Sequence, residues 1–514
     1  MNKRRSLFLY LTVAALSATA QHMNYQRYEL ADQRQLWQQS NNAAGLAHDM
    51  RDSSDNRGIA YFDLQHHSGD YTRVQEGNQQ NQLRFFTERY QKIGKYLYGY
   101  GSFDFDMGRI KERSWSDVMR TYNSNPFLSG SSIKGKYDFQ NFTLNARLAS
   151  VRLGHFNYGA SLYYKVGDLS RLRDPRPRVR LAVYQLTPAA TYTTGAHTLG
   201  LAAWYRRYKE KLTGISTISD ATDLKYYTMS GVEYVQGGAG SHNGYQREYV
   251  NHQFGGELSY AFQGSTVGSL VTATYHRGTE YAYGQYKYEP GRWYTNYFEL
   301  STRQRIKSAS RLHVIQAKLG YEEGYADQYN QELITQKDGA YTTQYWSNKM
   351  TYRKRYQMKK LDVNLRYRLS FVDTDDDALA GYVGASYDLQ RVSNKHLLAT
   401  SQLKYLWSRL GVEGGVGLLS KRFWVKGETA YHINHKSELD LSDATTDYAQ
   451  GVLIPDMPYY RANYWQAGME LMYQQPLIIK KQHTLWFAKL YGRYLHTDNS
   501  LDGREAGISV GLYY

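Results

Sequence analysis

The densest run of a single chemistry is "SRLRDPRPRVR" (170–180), with arginines at 171, 173, 176, 178 and 180 around Asp174, Pro175 and Pro177. Guanidinium forks hold phosphate or carboxylate through paired N–H donors. Arg176 and Arg178 are therefore candidates for contact with an anionic solute or with lipopolysaccharide phosphates. The two prolines stiffen the run and keep it out of regular pairing, so a rigid rim turn with its arginines paired to neighbouring acids accounts for the same residues. A second set is dispersed: Arg147, Arg366, Arg368, Glu257 and Glu470, with Asp104, Asp106 and Asp388, in segments where polar and apolar residues alternate. Such residues would line a selective, water-filled path, or pair off into a salt-bridged interior.

Catalytic signatures are missing. The chain holds no G-x-S-x-G, no H-E-x-x-H and no phosphate-binding P-loop. His66 and His67 are neighbours in a segment that reads as a strand, so they point to opposite faces and cannot share a metal. The 15 histidines show no ligand spacing. No enzyme, cofactor or metal is expected. A barrel-embedded lipid enzyme is the remaining enzymatic alternative, because its Ser/His pair would not be readable from spacing.

The elements that must position these residues are set by a period of two. In "LDVNLRYRLSFV" (361–372), Leu361, Val363, Leu365, Tyr367, Leu369 and Phe371 oppose Asp362, Asn364, Arg366, Arg368 and Ser370. "FTLNARLA" (142–149), "ELSYAF" (257–262), "LVTATYH" (270–276) and "AGMELMY" (467–473) repeat the pattern. A helix would place its apolar residues at i, i+3 and i+4, so these are strands with one oily and one wet face.

Composition decides which oil. The 514 residues include 52 tyrosines, 44 glycines, 8 prolines and no cysteine, with a formal charge of +16. Mean hydropathy is −0.68. Tyrosine suits strands and membrane–water interfaces, its ring being apolar at one end and wet at the other. Lys3, Arg4 and Arg5, then "SLFLYLTVAAL" and "ATA" ending at Ala20, read as a cleavable signal peptide over residues 1–20. An exported chain without cysteine has no disulfide framework. No later segment reaches the length of a membrane helix. A barrel remains possible at low mean hydropathy, because only alternate strand residues meet lipid.

Connections sort by length. Short ones such as "KIGK" (92–95), "TTGAH" (193–197) and "DTDDDA" (373–378) alternate with long polar ones near 108–135, 213–246, 328–357 and 437–459. Tight turns at one end and long loops at the other mark an outer-membrane barrel. The spacing predicts an all-β fold: a transmembrane antiparallel up-and-down barrel over 58–514 with eighteen strands (sixteen as the alternative), from 58–68 to 504–514, the first and last pairing to close it. Strands are placed at 95–107, 311–327 and 358–373 among others. Residues 21–57 are polar, weakly helical and anchored by Trp37, which suits a lumenal insert or a periplasmic segment. The terminal "GISVGLYY" is similar to the signal read by barrel-assembly machinery. Aromatic loop clusters at 113–130, 325–356 and 456–465 suit an interface girdle or a binding platform. Outer-membrane lipid and lipopolysaccharide are the expected surroundings, and no nucleic acid is expected.

"RQLWQQSNNAAGL" (34–46), "GIAYFDLQHHSGDYTRVQEG" (58–77), "YNSNPFLSG" (122–130) and "DPRPR" (174–178) resemble an uncharacterised outer-membrane β-barrel family of Bacteroidota, a domain of unknown function. The resemblance implies an integral barrel in a Gram-negative outer membrane and no particular activity. Three functions fit the residues: a porin-like channel for small solutes; a non-conducting barrel subunit or scaffold of an envelope secretion, assembly or uptake complex with a protein partner; and the lipid enzyme.

Overall fold

The alternating segments do form one closed sheet. A computed structural model describes residues 23–50, 52–215, 225–239, 245–284, 287–419, 421–479 and 482–514. The expected signal peptide and part of loop 213–246 lie outside these residues. The strands are β1 (Arg57–Gly69), β2 (Gln79–Ile93), β3 (Leu97–Arg113), β4 (Ser129–Ser131), β5 (Gly135–Ser150), β6 (Phe156–Arg171), β7 (Arg178–Thr194), β8 (His197–Thr213), β9 (Lys225–Gly231), β10 (Tyr234–Ala239), β11 (Arg247–Gln263), β12 (Val267–Tyr283), β13 (Gly291–Lys307), β14 (Arg311–Asp338), β15 (Tyr341–Asp373), β16 (Ala378–His396), β17 (Gln402–Leu418), β18 (Phe423–Asp440), β19 (Tyr464–Ile479), β20 (Gln482–Thr497) and β21 (Asp502–Tyr513). Eighteen of them make one antiparallel sheet, and β4, β9 and β10 form a separate three-stranded sheet. β1 pairs with both β2 and β21, from Ile59↔Tyr513 to Gly69↔Gly503, which closes the barrel. Closure leaves no strand edge whose N–H and C=O groups would face hydrocarbon unpaired.

The two faces of the wall differ as the period of two requires. Leu201, Leu258, Leu300, Leu365, Leu410 and Leu490 are all exposed, Leu258 at 64% and Leu365 at 44%. On the other parity Glu257, Ser259, Thr272 and Ser370 are buried inside. A belt of exposed leucine, valine and phenylalanine around a closed antiparallel wall is the lipid-facing surface of an outer-membrane-type barrel.

Two features depart from the sequence reading. The expected loop over 328–357 is paired: β14 and β15 continue as a hairpin from Gln331↔Asn348 to Asp338↔Tyr341, beyond the last rungs with β13 (Gly291↔Gln328) and β16 (Tyr356↔His396). The long connections after β3, β8 and β18 fold into the mouth of the barrel. Trp115, Val118, Phe127, Tyr227, Met229, Tyr448, Val452 and Leu453 pack on inward-facing Tyr249, Trp293, Ala326, Tyr356 and Met358. Apolar loop residues read as a girdle are here the core of a cap.

Candidate functional site

The interior is divided by the chain's own N-terminal segment. Helix α1 (Tyr25–Arg34) starts at Asn24, whose side chain accepts from the Arg27 amide and so caps it. It is followed by single turns and by α2 (Leu46–Asp49). Asp49 holds the bend between them, accepting from the amides of Leu36 and Trp37, both at 2.8 Å. Trp37, 1% exposed, packs with Leu36 against Ala261 and Leu270 of the wall. Tyr28 and Leu30 pack against Leu312, Tyr382, Trp424, Phe487 and Tyr513. Leu46 and Met50 pack against Tyr90, Tyr98 and Ala149. Residues from nearly every sector of the wall, close to its short-turn end, thus meet one strap of about thirty residues.

The polar contacts show how the strap is held. Glu257 accepts from the Ser40 hydroxyl, from the Asn41 amide at 3.0 Å and from Asn41 Nδ2 at 2.8 Å. Arg368 Nη1 donates to Glu29 at 2.7 Å, and its guanidinium stacks 3.6 Å from the Tyr382 ring centroid. Arg147 Nη1 donates to the Gln38 carbonyl at 3.2 Å. Arg303 donates to the carbonyls of Asp32 and Gln33, and Arg305 to that of Arg34. Arg34 forks onto Asp377 in a short turn, at 2.7 and 2.6 Å. Burial, with Glu29 nearby, pushes the Asp32 carboxyl up to about 6. Burial pushes Asp49 up to the same value against the pull of its two amide donors. His48 is pushed down to about 4 by burial and by Arg152.

Beside the strap, which contributes Gln33, the wall from β14 to β20 lines a chamber of about 430 Å³. Its walls carry Arg366, Arg368, Arg409 and Arg493 with Asp388, Glu413 and Glu428. Arg493 is spent on Glu428 (2.6 Å) and Glu505 (3.2 Å). Lys426 meets Glu413 at 3.3 Å. Arg409 donates to Gln466 at 3.4 Å and its Nε has no partner. Arg366 forms no ion pair among the described residues. The chamber therefore has spare guanidinium donors among mostly paired charges, an arrangement able to hold a small polar or anionic solute by hydrogen bonds.

The residues expected from sequence are thus distributed over four places. Arg366 and Arg368 face one chamber. Arg147, Glu257 and Arg368 hold the strap. Glu470 sits inside beside Lys489 at 3.5 Å, in a small cavity next to the chamber that it shares with Glu428 and Arg493. Arg176 and Arg178 stand at the rim, paired with Asp174 at 2.8 Å and Asp168 at 2.9 Å. Asp104 pairs with Arg84 at 2.8 Å, while Asp106 and Asp388 accept from Asn141 and Asn364. Arg409, Glu413, Glu428 and Arg493 were not singled out from sequence, although each alternates with an outward residue such as Leu410 or Val412. The same parity that marked Arg366 would have found them.

The cap is tied down by buried polar groups. Arg120 pairs with Glu280, which also accepts from Asn125 Nδ2 at 2.9 Å. Asp117 accepts from the Tyr137 hydroxyl at 2.6 Å. Asp456, in the connection after β18, accepts from the Val74 amide at 2.8 Å and the Tyr122 hydroxyl at 3.2 Å. Burial pushes the Asp456 carboxyl up to about 7.

A family model described as a family of unknown function, DUF6850, matches residues 43–514. The chain belongs to that family. No curated protein matches its sequence. Among solved structures, it is similar to the copper transporter OprC (8% identity, TM-score 0.38, covering 88% of this chain and 81% of that one). It is likewise similar to the outer membrane transporter YddB from Escherichia coli (8%, 0.36, 89% and 80%). A third is the ferric yersiniabactin uptake receptor FyuA from Yersinia pestis (10%, 0.38, 90% and 81%). At these scores the likeness is that of one large barrel to another. The family match extends over the whole barrel and the last residues of the strap, 43–50, and supplies no activity.

Proposed function

We propose that this chain is a gated conduit of a Gram-negative outer membrane, passing a small polar solute when its N-terminal strap leaves the short-turn end of the lumen. The observation that carries this reading is the way residues 23–50 are held. The strap crosses the lumen, yet many of its anchors are hydrogen bonds and ion pairs to inward side chains, among them Glu257, Arg303, Arg368 and Asp377. When the strap leaves and both sides are hydrated, such polar anchors exchange one set of hydrogen bonds for another at small net cost, so the apolar contacts of Leu30, Leu36 and Trp37 set most of the cost of opening. The chamber with its spare arginine donors lies beside it.

Osmotic swelling of proteoliposomes tests this. Vesicles carrying the full chain should swell slowly in an isotonic small solute, and vesicles carrying Glu257→Ala, which removes three of the strap's hydrogen bonds, should swell faster. Equal rates would count against a releasable strap.

A second reading, a barrel subunit that docks an envelope or surface protein, is favoured by one observation. The β14–β15 hairpin stands clear of the sheet with Leu333, Tyr341, Tyr345 and Met350 exposed, Tyr341 at 81%. Gentle extraction that recovers a stoichiometric protein partner from the full chain, but not from one with the hairpin shortened, would establish it.

A further inference from the structure

Outside the lumen, the wall over β6, β7, β8 and β11 carries cations where a lipid headgroup would sit. Asp168, Arg180, Lys211 and Glu248 are successive register partners across these four strands. They share the outward face with Leu186, Leu201 and Leu258, which are 53%, 58% and 64% exposed. Both acids are engaged on their flanks. Asp168 accepts from Arg178 Nε at 2.9 Å, and Glu248 meets Lys209 at 3.2 Å and Lys287 at 3.7 Å. Arg180 and Lys211 are left directly opposite each other, exposed, with no ion pair among the described residues. Arg207, on the same face of β8, is half-buried opposite Tyr184 and likewise forms no ion pair among the described residues.

Like charges directly opposite on an antiparallel pair destabilise it, and an anion between them removes that cost. The row also stands at a particular height. On the same faces, toward the short-turn end, come Tyr164, Tyr184 and Tyr205, then the leucines. Tyr164 and Tyr184 are register partners, and the Tyr184 and Tyr205 rings lie 6.0 Å apart. Tyrosines at the edge of an apolar band mark the membrane–water interface. Arg180 is two outward residues beyond Tyr184, and Arg207 and Lys211 are one and three beyond Tyr205, all on the long-loop side.

We infer that this face binds the phosphorylated headgroup of an outer-leaflet glycolipid, lipopolysaccharide, its phosphates between Arg180, Lys211 and Arg207 and its acyl chains along Leu186, Leu201 and Leu258. The site rests on the outer-membrane placement and not on the gate, since none of its residues touches the strap or the chamber.

Binding of purified lipopolysaccharide to the full chain in neutral detergent tests it. Arg180→Gln with Lys211→Gln should weaken binding about thirtyfold, on the usual scale for two cations at a charged lipid surface. Lys95→Gln with Lys307→Gln, the same loss of charge at the short-turn end, should leave it unchanged. Heat-modifiable migration confirms that each variant is folded. With the unaltered chain, enzymatic removal of the glycolipid's phosphates should abolish binding, which keeps the test decisive even if a variant misfolds. Retention of full affinity by the first pair, equal loss by the second, or undiminished binding of the dephosphorylated glycolipid would each overturn the site. So would inorganic phosphate binding as tightly as the lipid, which would make it a free-anion site.

Discussion

Leu365 and Arg366 are consecutive in β15 and meet different solvents, lipid on one side and the chamber on the other. Charging Leu365 should therefore be costly and neutralising Arg366 cheap. Leu365→Arg should lose about 2–4 kcal/mol in urea titrations of vesicle-inserted protein, the range for an arginine near the bilayer midplane. Arg366→Gln should stay within about 0.5 kcal/mol, as surface changes do. Similar losses for both would mean that the faces are wrongly assigned. Inside, Glu257→Ala leaves the Ser40 hydroxyl and the Asn41 donors without their acceptor, at about 1–3 kcal/mol for each buried group left unpaired. Hydrogen exchange should quicken at residues 36–46 and not in the strands; uniform quickening would show that Glu257 supports the wall and not the strap. At this scale parity made the faces of Arg147, Glu257, Arg366 and Arg368 legible, because a one-residue register error would put charge into lipid. Their partners were not legible. Glu29 lies 339 positions from Arg368 and Ser40 lies 217 from Glu257, and no local pattern links positions so far apart.

Elements show where periodicity reaches its limit. Strand bounds were read closely in the wall, since each strand had lipid on one face. The β14–β15 extension escapes a period-of-two reading because "TTQYWSNKMTYRKRY" mixes polar and aromatic residues on both faces, neither of which meets lipid. Replacing residues 331–348 by a tight turn should leave heat-modifiable migration unchanged; loss of the folded band would show that the extension stabilises the barrel. The cap has a pH dependence of definite sign. Asp456 holds its proton more tightly in the folded cap, up to about 7, than an ordinary carboxyl does. Its protonated form supports the closed cap below the ordinary carboxylate range, and that support is lost as pH rises through about 7. Exchange at loop amides, corrected for intrinsic rate, should therefore quicken between pH 5.5 and 8. Asp456→Asn, which stays uncharged while keeping an acceptor, should flatten the profile. An unchanged slope in that variant would assign the titration elsewhere. The strap follows the same rule through Asp32 and Asp49, each raised to about 6, and should loosen above that pH.

The whole molecule is a closed wall with covers at both ends, one made from the segment preceding the first strand and one from the loops. The wall was readable from strand number, sorted connections and the predicted pairing of first and last strands. The covers were not, because a chain of mixed polarity such as 23–50 looks the same whether it lies in a lumen or hangs from it. The strap is proposed as the inner gate, and single-channel recording in planar bilayers tests that most directly. The full chain should be nearly silent at pH 6, and a chain lacking residues 23–56 should give reproducible conductance steps that become more frequent at pH 8, as the cap loosens. A truncated barrel that folds, shows heat-modifiable migration and remains as silent as the full chain at both pH values would contradict it.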